Sequence, residues 1–216
     1  RIRADRIDVL IETTGLNQGH RMGTLWMKPA PVQATLIGYL NTTGLSRIDY
    51  RIVDAHTDPP GAEAYSAEKL VRLDPTYLCY RPPDDAPDVR PRDDGPITFG
   101  SFNSTAKLND PVVRLWCRIL DAVPGSRLLL KSFDFADPVL RQTTLAWFTR
   151  HGADSARIQI DGPTSGVREF YATYHPVDIA LDTFPFNGTT TTIDALFMGV
   201  PAVALAGSMH AGRTGV

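Results

Sequence analysis

At 216 residues the chain is long enough for one large or two modest hydrophobic cores, since one core serves roughly 100 to 200 residues. Its 43% hydrophobic and 21% charged content and formal net charge of -2 exclude a disordered chain, and the 22 basic residues are scattered rather than massed as a nucleic-acid binder requires. Cys79 and Cys117, far apart in apolar stretches, exclude a disulfide framework and fit a reducing, cytoplasmic setting, while the lack of a long apolar run or signal core leaves no membrane partner to expect.

In chain order, the apolar run at 7–11 reads as a buried strand ended by Thr13, Thr14 and Gly15. The following loop holds Leu16, Asn17, His20 and Arg21. A short helix is expected at 22–27, closed by Pro29 and Pro31, with strands at 32–39 and 50–53. Pro, Asp and Gly dominate 58–61 and 81–96, which suppresses regular structure. The second stretch is the better linker, and it separates a first portion, 1–90, from a second, 91–216. Beyond it the pattern becomes regular, with strands expected at 97–102, 127–131, 157–160, 177–181 and 202–205. Helices are expected between them at 111–123, 139–151, 167–174 and 192–198. In the first of these Val112, Leu115, Trp116, Ile119 and Leu120 recur at helical spacing, with Asp110 as the expected N-cap and Pro124-Gly125 as the stop. Such alternation specifies an α/β fold with a parallel sheet covered on both faces, a Rossmann-like unit.

Ligands of open parallel sheets bind beyond the carboxyl ends of the strands, where loops lead into helix N-termini. The loop after Leu181 carries Gly188 and four consecutive threonines, Thr189, Thr190, Thr191 and Thr192, at a helix start. Unpaired N–H groups and the helix dipole attract an anion there, hydroxyls add donors, and glycine admits a phosphate close to the backbone. A diphosphate is the natural guest, and the plain alternative is a helix start that is merely over-capped. Asp194, one turn on, is either a ribose ligand or an acid that favours the dipole. The loop after Phe102 supplies Asn103 and Lys107, a cation suited to a departing diphosphate unless it is only a solvated surface lysine. Lys131 and Ser132 at the next strand end, and Arg213 after the last, are expected to converge on the same cleft. Dinucleotide, P-loop and zincin motifs are absent from the sequence, as is an Asp-x-Asp pair for a divalent ion, so stabilisation of a leaving group would fall to N–H groups, threonines and Lys107.

The run Leu-Asp-Thr-Phe-Pro-Phe-Asn-Gly-Thr-Thr-Thr-Thr-Ile-Asp at 181–194, continued to Pro201, resembles the signature of O-GlcNAc transferases and their SPINDLY-type relatives, glycosyltransferase family 41. Further segments agree in order, among them Pro29 to Gln33, Gly38-Tyr39, Asp49-Tyr50, Glu68-Lys69-Leu70 and Phe99 to Asn103 with Lys107. The resemblance implies a GT-B glycosyltransferase: a complete C-terminal Rossmann-like domain holding the nucleotide sugar, and the last part of the N-terminal, acceptor-side domain. It implies a protein O-glycosyltransferase that moves N-acetylglucosamine from UDP-GlcNAc to Ser or Thr hydroxyls without metal or other cofactor. By the same resemblance Lys107 meets the donor diphosphate, Thr190 and Thr191 bind its phosphates, and Asp194 binds the ribose, with Asn103, Gly188 and Thr189 beside them.

Departures from the family pattern keep alternatives open. Thr189 stands where animal O-GlcNAc transferases have histidine, Ala106 where they have tyrosine, and Phe170 where a histidine contacts the base. Four threonines are closer to the SPINDLY group, whose plant members look like GDP-fucose O-fucosyltransferases, so this donor is the alternative. A catalytically silent nucleotide-binding scaffold and a transferase acting on lipid or small molecules are the others. The chain begins at Arg1 and stops at Val216, and reads as a fragment lacking tetratricopeptide repeats and a catalytic base, so that it binds nucleotide weakly and does not turn over.

Overall fold

The computed structural model describes residues 1–91 and 94–216, so two positions of the linker stretch, 92 and 93, lie outside the described residues. Contacts divide the chain into two compact units, Arg1–Cys79 with Ala206–Thr214 and Val216, and Tyr80–Leu205 with Gly215.

The first unit is a sheet of four parallel strands in the order β1 (Val9–Glu12), β2 (Val32–Leu36), β3 (Tyr50–Asp54) and β4 (Lys69–Leu73). A short helix, α1 (Met22–Trp26), packs Met22 and Leu25 against Ile48, Leu10 and Leu45. Strand β4 was not expected from sequence: its Lys69, Val71 and Leu73 alternate outward on an edge, and such a half-exposed, partly charged stretch lacks the apolar run of a buried strand. Much of this unit's interior is polar. Arg51 of β3 donates to Asp58 at 2.6 Å, His210 Nδ1 also meets Asp58, and the Tyr77 hydroxyl lies 3.0 Å from His210 Nε2. All four side chains are buried. Glu68 is likewise buried and accepts from Thr42, Ser66 and the Thr43 backbone.

In the second unit five parallel strands run in the order β7-β6-β5-β8-β9, where β5 is Thr98–Ser101, β6 Arg127–Lys131, β7 Ile158–Asp161, β8 Ile179–Leu181 and β9 Ala202–Val203. The helices are α2 (Asp110–Ala122), α3 (Pro138–Arg150), α4 (Val167–Ala172) and α5 (Thr190–Phe197). Strand β6 shows why the apolar run is continuous: Leu128 and Leu130 join the cluster of Val112, Trp116 and Leu120 from α2 and Phe148 from α3, whereas Leu129 joins Tyr171, Ala195 and Met198 opposite. Each fully buried large side chain stabilises by about 1.5–3 kcal/mol, so these two layers stabilise the sheet from both faces. The cap of α2 differs from expectation. Asn109 Oδ1 accepts from Val112 N at 3.0 Å, and Asp110 is the first helical residue, drawn instead to Trp147 Nε1 at 3.2 Å and His151 Nε2 at 2.7 Å. Helix α5 begins two residues earlier than expected, at Thr190. No helix among the described residues is long and apolar enough to cross a membrane.

Candidate functional site

From β5 the chain steps outward through β6 to β7, then crosses back to place β8 on the other side of β5. The carboxyl ends of β5 and β8 therefore flank the point where strand order reverses, the position at which open α/β sheets bind ligands. Both loops singled out in the sequence leave the sheet there.

The loop after β5 turns through a 3-10 segment, Thr105–Lys107, started by Ser104, whose side chain accepts from Ala106 N. This brings Lys107 back over the strand ends. The loop after β8 is tied by its own polar groups: Asp182 Oδ1 accepts from Thr183 N at 2.8 Å and Gly188 N at 2.6 Å, and Asn187 Nδ2 donates to Thr183 O at 2.8 Å. Asn109 Nδ2 adds a bond to Phe184 O at 2.6 Å. Across the two loops Lys107 Nζ donates to Asn187 O at 2.7 Å and Asn103 Oδ1 at 3.2 Å, and it lies 4.2 Å from the centre of the Phe186 ring. Thr191 Oγ1 is 3.4 Å from the same Asn103 oxygen.

Thr189 is the N-cap of α5 but makes no side-chain capping bond. The capping bond that an over-capped helix start would show is thus not made by Thr189, and the first-turn N–H groups, which have no intrahelical acceptor by geometry, point along the helix axis. Gly188 precedes them. A Cβ there would sit 2.5 Å from Thr191 Oγ1 and 2.9 Å from Thr192 Oγ1, so the absence of a side chain leaves a cradle rimmed by hydroxyls. Asn103, Lys107, Gly188 and Thr191 thus meet in one place, with Thr189 and Thr190 at the helix start. Asp194 lies a turn deeper and is buried, its Oδ1 accepting from the hydroxyls of Tyr80 at 2.6 Å and Tyr171 at 2.7 Å.

Burial pushes the Lys107 ammonium below the usual lysine range, and the charge of Asp182 counters it. Burial pushes the Asp182 carboxyl up, against the N–H donors of Gly188, Thr183 and Asn103 and the charge of Lys107. Chemically, the arrangement offers an anion one desolvated cation, oriented backbone dipoles and threonine hydroxyls.

Other expected members lie elsewhere. Lys131 Nζ is engaged by Gly162 O, and Ser132 accepts from Asp134 N at 3.3 Å. They line a neighbouring cavity of about 460 Å³ with Phe102, Phe170, Asp134, Pro163 and Thr164, in which the rings of Phe102 and Phe170 meet edge to face at 6.2 Å. Arg213 belongs to the first unit, where its guanidinium donates to His56 O at 2.7 Å and Gly207 O at 3.2 Å. His20 is exposed in the first unit. Sequence reasoning passed over Asp182, Tyr80 and Tyr171. The place of Asp182 at a strand end was a usable signal, whereas nothing in the sequence ties Tyr80 or Tyr171 to Asp194.

The model of the family described as Glycosyl transferase family 41 matches residues 1–81 and 90–216. Among curated proteins the chain is 45% identical over 218 residues to the probable UDP-N-acetylglucosamine--peptide N-acetylglucosaminyltransferase SPINDLY of Arabidopsis thaliana, across 100% of this chain and 24% of that protein. It is 31% identical over 215 residues to the probable UDP-N-acetylglucosamine--peptide N-acetylglucosaminyltransferase SEC of Arabidopsis thaliana, across 94% of this chain and 22% of that protein. A solved structure of Thermobaculum terrenum O-GlcNAc transferase, a mutant, superposes with a TM-score of 0.93 at 38% identity, covering 99% of this chain and 41% of that one. The chain thus spans about a quarter of the length of the curated relatives it matches, 24% and 23% for the first two.

Proposed function

The chain belongs to glycosyl transferase family 41, and from that premise we propose that it carries the donor site of a metal-independent protein O-glycosyltransferase, moving N-acetylglucosamine from UDP-N-acetylglucosamine to Ser or Thr hydroxyls. Its α/β units, with parallel sheets throughout, are those of a GT-B catalytic region. The observation that carries the reading is the meeting of Lys107 with the threonine-rimmed start of α5 at the strand-order reversal. In the proposed reaction the acceptor hydroxyl attacks the anomeric carbon, the bond from that carbon to the diphosphate oxygen breaks, and the hydroxyl proton passes to a base. Negative charge grows on the departing diphosphate, where Lys107 and the α5 N–H groups stabilise it; oriented donors in a desolvated site serve this better than water, which must reorganise.

Asn103 places Lys107, Gly188 gives the phosphates access, and Thr189, Thr190 and Thr191 supply donors. Asp194, held by two tyrosine hydroxyls, is assigned to the ribose. The aromatic cavity of Phe102 and Phe170 suits a stacked base. UDP-N-acetylglucosamine appears in the names of the relatives and takes precedence over GDP-fucose as donor and over a silent scaffold. A cytoplasmic setting fits the free thiols of Cys79 and Cys117.

Calorimetry with UDP and GDP, paired with transfer of labelled sugar to a peptide by the whole protein, tests the proposal. UDP bound more tightly than GDP, EDTA-insensitive transfer, and its loss in Lys107→Ala with nucleotide still bound are the expected results. Failure to bind either nucleotide sinks the donor-site assignment, and binding without transfer in the wild type favours the scaffold.

A further inference from the structure

Asp182 closes β8 and is buried, 6% exposed, directly beneath the proposed phosphate cradle. Its two oxygens are used unequally. Oδ1 takes three N–H donors: Gly188 N at 2.6 Å, Thr183 N at 2.8 Å and Asn103 Nδ2 at 3.1 Å. Oδ2 is buried without a hydrogen-bond partner among the described residues, and a Cβ on Gly215 would fall 2.4 Å from it. A buried carboxylate is costly unless its oxygens are used, and here the three donors gathered on Oδ1 tie the loop after β5 and the loop after β8 to a single atom.

Asn103 is the link. Its Nδ2 donates to Asp182, which leaves its Oδ1 facing the Lys107 ammonium at 3.2 Å and the Thr191 hydroxyl at 3.4 Å. A reversed amide would set its NH2 against the ammonium and its carbonyl against the carboxylate, both repulsive. The carboxylate therefore dictates which way the amide points, and the amide dictates where Lys107 and Thr191 sit. Through Gly188 N the same oxygen also fixes the peptide that opens onto α5.

We propose that Asp182 is the positioning residue of the donor site, acting through Asn103 on Lys107 and Thr191 and through Gly188 on the start of α5, without touching the donor itself. The inference rests on the donor-site reading above. It differs from a structural role because the carboxylate also supplies the countercharge for the buried ammonium. Asp182 is the charge that acts on Lys107, and the other groups facing it, the Asn103 amide, the Asn187 carbonyl and the Phe186 ring, are uncharged.

The test uses the whole protein with Asp182→Asn, Asp182→Ala, Asn103→Ala and the Asp182→Ala/Asn103→Ala double variant, with nucleotide affinity, donor kcat/KM and thermal midpoint measured for each. Asp182→Asn keeps an acceptor oxygen for the three donors and removes only the charge. It should keep the fold, lose about tenfold in kcat/KM at neutral pH, and move the basic limb of the pH profile to lower pH because the ammonium loses its counterion. Asp182→Ala and Asn103→Ala should each lose more, and the double variant should lose far less than the product of the two, as members of one relay do. A pH profile for Asp182→Asn superimposable on wild type, or losses that simply multiply, overturns the inference. Wild-type protein that binds neither UDP nor GDP overturns the donor-site reading and the inference with it; wild type that binds while the variants match it overturns the inference alone.

Discussion

Alanine at position 188 would put a methyl group 2.5 Å from Thr191 Oγ1, 2.9 Å from Thr192 Oγ1 and 3.0 Å from Asn103 Oδ1, where ordinary contacts begin at 3.4 Å. The backbone at Gly188 is not left-handed, so the perturbation is purely one of space. Two of the three atoms are hydroxyls on rotatable side chains, which can swing aside, and overpacking relieved in this way costs about 1–3 kcal/mol at most. Relief has a functional consequence, because the rotated hydroxyls no longer face a ligand and the methyl fills the space a phosphate oxygen would take. Loss of one or two hydrogen bonds to a charged group, at about 1.5–3 kcal/mol each, corresponds to a nucleotide affinity weaker by roughly ten- to a hundredfold or more. Calorimetric titration of Gly188→Ala with UDP, beside a thermal midpoint lowered by roughly 2–12 °C, is the measurement. A dissociation constant within about twofold of wild type would mean that phosphates do not sit at the start of α5.

Arg51→Met leaves the buried Asp58 without its guanidinium and is expected to cost about 3–5 kcal/mol in urea unfolding; a change under about 1 kcal/mol would show that His210 alone suffices. Burial pushes the Asp58 and Glu68 carboxyls up, but His210 and Arg51 in the first case, and the Thr43, Thr42 and Ser66 bonds in the second, outweigh it and hold both below the usual range. With depressed folded-state values their stabilisation is complete above the ordinary carboxylate range near pH 4 and disappears as pH falls through the lower values, so urea midpoints should fall steeply on acidification, and a flat profile down to about pH 3 contradicts this. Tyr171→Phe removes one of the two hydroxyls on Asp194 Oδ1; UDP binding should weaken by roughly three- to tenfold, and unchanged binding would separate Asp194 from the ribose.

The parts legible in sequence were those written in period and punctuation. Helix α2 announced itself because Val112, Trp116 and Leu120 must all reach one core layer, and β6 because both of its faces are covered. The start of α5 was legible because consecutive threonines after a glycine have little use in a helix interior. What failed depended on partners distant in the chain. Asn109 and Asp110 are equally good caps by type, and only the approach of Trp147 and His151 draws Asp110 away. Arg213 follows the last strand in sequence, so the strand-end rule grouped it with the second unit, yet Ala206–Thr214 packs with the first. Lys131 sits at a strand end as expected, but the Gly162 carbonyl has already claimed it.

A chain with net charge -2 and scattered basic residues looks poorly equipped for a diphosphate. The arrangement shows why number matters less than place. An exposed lysine is screened by water and mobile ions, whereas Lys107 is half-buried, pinned by two acceptors and covered by the Phe186 ring. Burial alone would favour its neutral amine and defeat the purpose. The charge of Asp182 opposes that shift, and in the proposed donor site it does so from a carboxylate whose hydrogen bonds are to Gly188 N, Thr183 N and the Asn103 amide rather than to a ligand. Residues 80 positions apart, on loops from β5 and β8, can hold such a geometry only because the sheet reverses its order between those strands. The fold thus supplies the coincidence, and the buried carboxylate makes a desolvated lysine usable there.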